Sequence, residues 1–235
     1  MNHVLPVPAA AAVPVTGGAS GASFPVHRIY CVGRNYVEHA KEMGFTGREP
    51  PFFFLKPADA IVPIAEGSVG RMRYPSLTKD LHHEVELVVA IGKGGRAIKA
   101  ADAMDHVWGY GIGLDMTRRD LQGEAKKLGR PWDIGKGFDQ SAPIGPLRAA
   151  ADCKVGPDTA IVLEVNGTVR QKSEIGKLIW SIGEIIEHLS SAWELAPGDL
   201  IFTGTPEGVA AVSSGDTLKA KVDGVGTLQV QIVEG

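Results

Sequence analysis

From about residue 24 onward the chain alternates short apolar runs with breaks marked by glycine and proline, and few runs exceed the length of a strand. RIYCVG at 28–33 reads as a strand, and NYVEHAKEM at 35–43 as a short helix with Asn35 as candidate N-cap and Gly44 as its stop. PFFFLKP at 51–57 and AIVPI at 60–64 are short extended pieces bounded or broken by proline. LVVAI at 87–91, headed by HHEVE at 82–86, is a strongly apolar strand. AADAMDHV at 100–107 predicts a helix, and WGYGIGLD at 108–115 a glycine-rich strand ending at Asp115. A further helix at 118–128 is stopped by Gly129 ahead of Pro131. IVLEV at 161–165 and TVR at 168–170 flank Asn166-Gly167, a strong hairpin signal. A helix at 182–189, the extended DLIFTGTP at 199–206 and a hairpin at 218–233 complete the pattern. Strands outnumber helices and hairpins abound, so the expected class is α+β, mainly β, and not a doubly wound parallel sheet.

The first 23 residues break this pattern. MNHVLPVPAAAAVPV followed by GGASGAS has linker composition and is expected to be a flexible leader to a domain spanning 24–235. The leader lacks the basic region and continuous apolar stretch of a signal peptide. A length of 235 residues is enough to bury a substantial core. The 24 basic and 27 acidic residues give a net charge of −3 with no basic run, which argues against nucleic acid or a membrane surface as partner. Two widely separated cysteines, Cys31 and Cys153, suggest neither a disulfide framework nor a zinc site and suit a reducing cytoplasm. No apolar run approaches the roughly 20 residues that span a bilayer.

The candidate chemistry centres on HHEVE. Glu84 and Glu86 lie two apart on a strand and so project from one face. Two like charges side by side are either solvated at a strand end or neutralised by a cation, and carboxylate oxygens suit Mg²⁺, Mn²⁺ or Ca²⁺. Asp115 ends the glycine-rich strand; it reads as a helix cap or, with the glutamates, as the third member of an all-oxygen site that leaves positions open for water and substrate. His39 and Glu42, three apart on a predicted helix, form either a surface pair or a carboxylate-oriented base, and Gly33 and Gly44 leave that helix room to move as a lid. Arg119 and Gln122 share a helical face, and Lys136 stands between Gly135 and Gly137, where a cation can approach a ligand closely. Each is equally readable as a solvated side chain. Phe52, Phe53 and Phe54 read as core.

Together, CVGRNYVEHAKE, FFFLKP, HEVEL, GLDMTRRDLQ, PWDIGKGFD and FTGTPEGV, in this order, resemble the fumarylacetoacetate hydrolase family from about residue 24 to the C-terminus. Within it, FFFLKP and DMTRRDLQ are most similar to the bacterial fumarylpyruvate hydrolases of gentisate-type aromatic degradation. The resemblance implies a mixed β-roll with a small N-terminal part carrying a lid helix, a cytoplasmic homodimer, and a small diketo acid as substrate. It implies one divalent ion, Mg²⁺ or Mn²⁺ (Ca²⁺ in crystals), on Glu84, Glu86 and Asp115. It further implies that His39 and Glu42 activate water, that Gln122 and Lys136 position and polarise the substrate, and that Arg119 and Thr205 hold its oxygens. Tyr36 and Lys56 match motif positions without a definite role. The implied reaction is hydrolysis of fumarylpyruvate to fumarate and pyruvate; the alternative is oxaloacetate decarboxylation, or isomerisation or hydration of a related dioic acid.

Overall fold

The computed structural model describes residues 3–19, 21–37 and 48–235. A large mixed sheet runs in the order Ser23–Pro25, Ala12–Thr16, Leu147–Ala149, Val107–Leu114, Val85–Ile91, Leu200–Phe202, Ile29–Gly33, Phe52–Lys56, with Ala142–Ile144 and Ile61–Pro63 branching from Val107–Leu114. A second sheet follows the order Thr168–Glu174, Ala160–Val165, Thr217–Val222, Gly226–Val233, Val69–Arg73. A small three-stranded sheet joins Thr117–Arg118, Leu81–His82 and Ala211–Val212. The expected mainly-β, mixed-sheet class is what the chain adopts.

Apart from Glu86, Val85–Ile91 is apolar because it is buried on both faces. Val85, Leu87, Val89 and Ile91 face a core shared with Ile161, Leu163, Leu218 and Val230 of the second sheet. Val88 and Ala90 face a separate core with Ile29, Cys31, Leu147 and Phe202. Strand alternation puts Glu86 on the side of Val88 and Ala90. Directly opposite, Val107–Leu114 turns its glycines to that same side, with Gly113 in register with Glu86 and Gly111 with Val88. A Cβ on Gly113 would lie 2.3 Å from the Phe202 ring, and one on Gly109 would lie 2.2 Å from the Arg148 carbonyl, so these glycines serve close approach of neighbouring strands.

Several predicted elements shift. The helix expected at 100–107 is a 3-10 turn, Ala103–His106, too short to carry a regular apolar stripe. The helix at 182–189 runs on as Ile182–Ala192, opened by a capping box in which Ser181 accepts the Glu184 N–H. The capping role expected of Asn35 falls on a helix largely outside the described residues; its side chain accepts the Trp180 N–H at 2.8 Å and donates to the Trp180 and Thr203 carbonyls, which ties the end of the Ile29–Gly33 strand to two distant loops. The expected lid helix at 35–43, with His39 and Glu42, lies largely outside the described residues. Part of the expected flexible leader is instead a strand. Ala12–Thr16 pairs with Leu147–Ala149 and Ser23–Pro25, and Val13 is fully buried in the second core. Its one proline, Pro14, stands opposite Ser23 and just before the Val15–Thr16 stretch that pairs with Leu147 and Arg148, so the missing N–H is tolerated in a strand that the Ala/Pro composition disguises.

Candidate active site

Glu84, Glu86 and Asp115 come together because the Val85–Ile91 and Val107–Leu114 strands are neighbours and the Asp115 N–H bonds the Glu84 carbonyl at 2.9 Å. One oxygen from each carboxylate lies within 4.8 Å of the others, and all three side chains are buried. Lys136 reaches the cluster from the short helix Asp133–Lys136, donating to Glu84 Oε2 at 2.8 Å and Asp115 Oδ2 at 2.7 Å. Gly135 permits this placement: a Cβ there would lie 2.9 Å from the Gln122 backbone. Arg119, at the start of the helix Arg119–Lys127, binds Glu84 Oε1 and donates to Gln122 Oε1 at 2.6 Å, as their shared helical face predicts. Thr117 adds a hydrogen bond to Glu84 Oε1 at 3.2 Å.

The sequence left Lys56 without a role, yet it is fully buried beneath this cluster. Its ammonium lies 2.8 Å from Asp115 Oδ1, and it donates to the backbone carbonyls of Lys136 and Met116. The signal was present in FFFLK, where a lysine takes the inward position of an apolar strand. Glu86 differs from its neighbours. Among the described residues its Oε2 accepts the Gly204 N–H at 2.7 Å but has no ion-pair partner. Gly204 holds this pose with φ +102°, and a Cβ there would lie 2.6 Å from Asn35. Burial, then the charges of Asp115 and Glu84, push the Glu86 carboxyl well above the usual carboxylate range. Burial alone would lower the Lys136 ammonium, but Asp115 and Glu84 outweigh it and raise it.

Thr205 also borders the cluster, but its hydroxyl is engaged on both sides. It donates to the Val85 carbonyl at 2.9 Å and accepts from Gln171 at 2.8 Å. Gln171 in turn accepts the Val85 N–H and contacts His83 Nδ1 at 2.9 Å. Gln171 sits on Thr168–Glu174 of the second sheet, and no short motif marks it.

Three buried carboxylates with oxygens converging, one of them without a cation among the described residues, fit a divalent ion. Asp115 Oδ1 reinforces this: it is buried and no hydrogen bond satisfies it, its contact with Lys56 being an ion pair only. The three carboxylates share a tight chamber with Arg119, Gln122, Lys136, Thr205, Arg34, Phe54 and Trp132. His39 and Glu42, singled out from the sequence, lie outside the described residues. The Phe52–Phe54 run is not simply core. Phe53 packs on the main core and Phe54 on the second, while Phe52 and Phe54 both meet the Trp132 ring, at 5.2 and 5.8 Å between centroids.

Residues 28–233 match the family described as Fumarylacetoacetate (FAA) hydrolase C-terminal. The chain therefore belongs to the fumarylacetoacetate hydrolase family. Its structure superposes on that of fumarylpyruvate hydrolase from Pseudomonas aeruginosa in complex with Mn²⁺ and pyruvate with a TM-score of 0.96, at 54% identity and with all of both chains covered. The mitochondrial oxaloacetate tautomerase of Rattus norvegicus is 44% identical over 204 residues, 87% of this chain and 90% of that one. The mitochondrial oxaloacetate decarboxylase of Dictyostelium discoideum is 40% identical over 207 residues, 88% of this chain and 94% of that one. The protein is an enzyme of this family, and its buried acidic triad is a candidate site for a divalent ion.

Proposed function

We propose that the chain hydrolyses a carbon–carbon bond in a 2,4-diketo acid, with fumarylpyruvate as substrate and fumarate and pyruvate as products, in aromatic catabolism of the gentisate type. The observation that carries this reading is the likeness, over the full length of both chains, to a fumarylpyruvate hydrolase that binds Mn²⁺ and pyruvate. The site chemistry is consistent with it. Glu84, Glu86 and Asp115 would hold a divalent ion, Mg²⁺ or Mn²⁺, which would supply Lewis-acid polarisation of the substrate.

The protein's own groups divide the remaining work. Arg119 and Gln122, already bonded to each other, hold the substrate carboxylate and fix the reacting end. Lys136, kept protonated by its two carboxylate neighbours, presents a cation where negative charge develops on the keto oxygen. His39 removes a proton from water, and Glu42 orients the imidazole and stabilises its charged form. The resulting hydroxide adds to the distal ketone. Collapse breaks the carbon–carbon bond with its electron pair leaving on the pyruvate side, and protonation of that enolate yields pyruvate while the other fragment leaves as fumarate. Thr205, with its hydroxyl hydrogen given to Val85, serves this site by shaping the chamber wall. Assembly as a homodimer and a cytoplasmic location belong to the same proposal.

The similarity to oxaloacetate tautomerase and oxaloacetate decarboxylase favours a second reading, in which the same enolate chemistry acts on oxaloacetate without attack by water. Steady-state assays with fumarylpyruvate, acetylpyruvate and oxaloacetate separate the two. The hydrolase reading requires the highest kcat/KM on fumarylpyruvate; a higher value on oxaloacetate assigns the protein to the second reading.

A further inference from the structure

The HHEVE run carries two histidines that the proposed reaction does not use. Strand alternation sends them to opposite faces. His83 is fully buried, with Nδ1 2.9 Å from Gln171 Oε1. His82 turns the other way, toward Arg119. It sits on Leu81–His82, the middle strand of the small sheet, in register with Thr117, and the Arg119 N–H bonds the Asp80 carbonyl at 2.8 Å. Pairing of the two backbones thus sets the imidazole beside the guanidinium.

The imidazole is engaged at both nitrogens. Nε2 lies 2.9 Å from Asp80 Oδ1, and Nδ1 lies 3.5 Å from Arg119 Nε. A guanidinium only donates and a carboxylate only accepts, so these partners select one tautomer: Nε2–H donates to Asp80, and the Nδ1 lone pair faces the Arg119 Nε–H. Asp80 is anchored in turn. Its N–H donates to Thr78 Oγ1 at 3.0 Å, and Thr78 donates to Asp120 Oδ1 at 2.6 Å in the first turn of the Arg119–Lys127 helix.

Arg119 is held on three sides. Nε meets His82, Nη1 donates to Gln122 Oε1 at 2.6 Å, and Nη2 donates to Glu84 Oε1. Each nitrogen commits one N–H to the protein, which leaves, of the guanidinium's five and among the described residues, one donor on each terminal nitrogen. Two donors fixed in one plane suit a carboxylate, provided that the plane does not turn. Glu84 and Gln122 hold the terminal nitrogens from within the carboxylate chamber, which His82 does not line. His82 is the one partner of Nε among the described residues, and its contact is the longest of the three.

We infer that His82 is a positioning residue for substrate binding: by accepting the Arg119 Nε–H, in the tautomer that Asp80 selects, it locks the plane of the guanidinium that holds the substrate carboxylate. The lock sets a rotamer-rich side chain in advance, so less ordering is left to the binding step. The inference rests on the reading that Arg119 holds that carboxylate, which the fumarylpyruvate and oxaloacetate reactions share.

The test reads pyruvate affinity by calorimetry on the full, Mn²⁺-loaded chain, since pyruvate carries the carboxylate and keto group of the reacting end alone. His82→Leu should weaken binding about tenfold, the order of a hydrogen bond to a charged group. His82→Asn, whose carboxamide oxygen can stand where Nδ1 stood, should recover most of that loss. His82→Gln, whose amide reaches the Nε2 position instead, should not. In an Arg119→Met background His82→Leu should add no further loss, because the histidine acts through the arginine. With whichever of fumarylpyruvate and oxaloacetate the parent turns over, KM should rise in His82→Leu while kcat changes far less, the mark of lost uniform binding. A general loosening of the structure would instead affect the Asn and Gln variants alike and add to Arg119→Met. Parent-like affinity in His82→Leu, equal affinities in the Asn and Gln variants, or an additive double variant would overturn the inference; the Asn and Gln pair decides it should the leucine variant not fold. If Arg119→Met binds pyruvate as the parent does, the reading of Arg119 falls and the inference with it. If Arg119→Met binds weakly and His82→Leu binds normally, only the inference falls.

Discussion

At the scale of single residues, the site is a balance of charges with one member left over. Glu84 and Asp115 are answered by Lys136, Arg119 and Lys56, whereas among the described residues Glu86 has a backbone N–H alone. Without metal, its raised carboxyl keeps a proton that the unfolded chain has released above an ordinary value of about 4.3. The folded state then binds more protons than the unfolded one, so stability falls as pH rises from that value through the raised one. Glu86→Gln keeps an oxygen for Gly204 and cannot ionise. In chelator it should be more stable than the parent near neutrality and lack that slope, yet gain little from Mn²⁺, which should stabilise the parent. Thermal melts across pH with and without the ion check this; equal slopes in both proteins would show that Glu86 is not the strained group. The three carboxylates and Lys136 were legible in the sequence because alternation on a strand and glycine-flanked placement constrain where a side chain goes. Lys56 and His82 were not assigned, since each takes its meaning from contacts that other segments supply. Thr205 was expected to hold substrate oxygens, an expectation that spacing cannot refine because the bonds occupying its hydroxyl come from Val85 and from Gln171, 34 positions away in the chain.

At the scale of elements, the site depends on how the two sheets are joined. Gln171, fully buried on the second sheet, accepts from Val85 and donates to Thr205 and to the Pro206 carbonyl, so one carboxamide links the strand bearing the glutamates to the FTGTP segment. Gln171→Ala would strand several buried polar groups, each costing about 1–3 kcal/mol. The expected loss is about 3 kcal/mol in urea unfolding, with kcat falling because Glu86 and Gly204 lose their register. A loss under about 0.5 kcal/mol would mean that water replaces the carboxamide at little cost. Which elements exist was largely readable: Asn166-Gly167 does turn a hairpin, with Asn166 at φ +52° and Gly167 at φ +78°, and the glycine-rich run is the strand Val107–Leu114. The pairing order was not, because Ile29–Gly33 and Leu200–Phe202 lie side by side across some 170 residues and no local pattern encodes that register.

At the scale of the whole molecule, the stretch with linker composition reaches the back of the active site. Val13, fully buried, packs in the core that holds Val88, Ala90 and Phe202, the residues lining the opposite end of the Glu86 face. Its strand also covers one edge of the large sheet through Val15 and Thr16, paired with Leu147 and Arg148. Residues 3–10, by contrast, are exposed and form no regular element. Two truncations should therefore behave differently. Removing residues 1–9 should leave thermal stability within about a degree, since among the described residues it deletes no buried side chain and no strand pairing. Removing residues 1–16 exposes the apolar surface that Val13 covered, worth about 1.5–3 kcal/mol, and leaves the Leu147–Ala149 strand with an open edge. At about 2–4 °C per kcal/mol for a chain of this size, the midpoint should drop by roughly 3–12 °C. The longer truncation should also aggregate more readily on heating, through the uncovered edge. Scanning calorimetry with light scattering measures both quantities. Equal midpoints for the two truncations would show that the Ala12–Thr16 strand contributes nothing to the core it touches, and that the domain holds together from residue 24 alone.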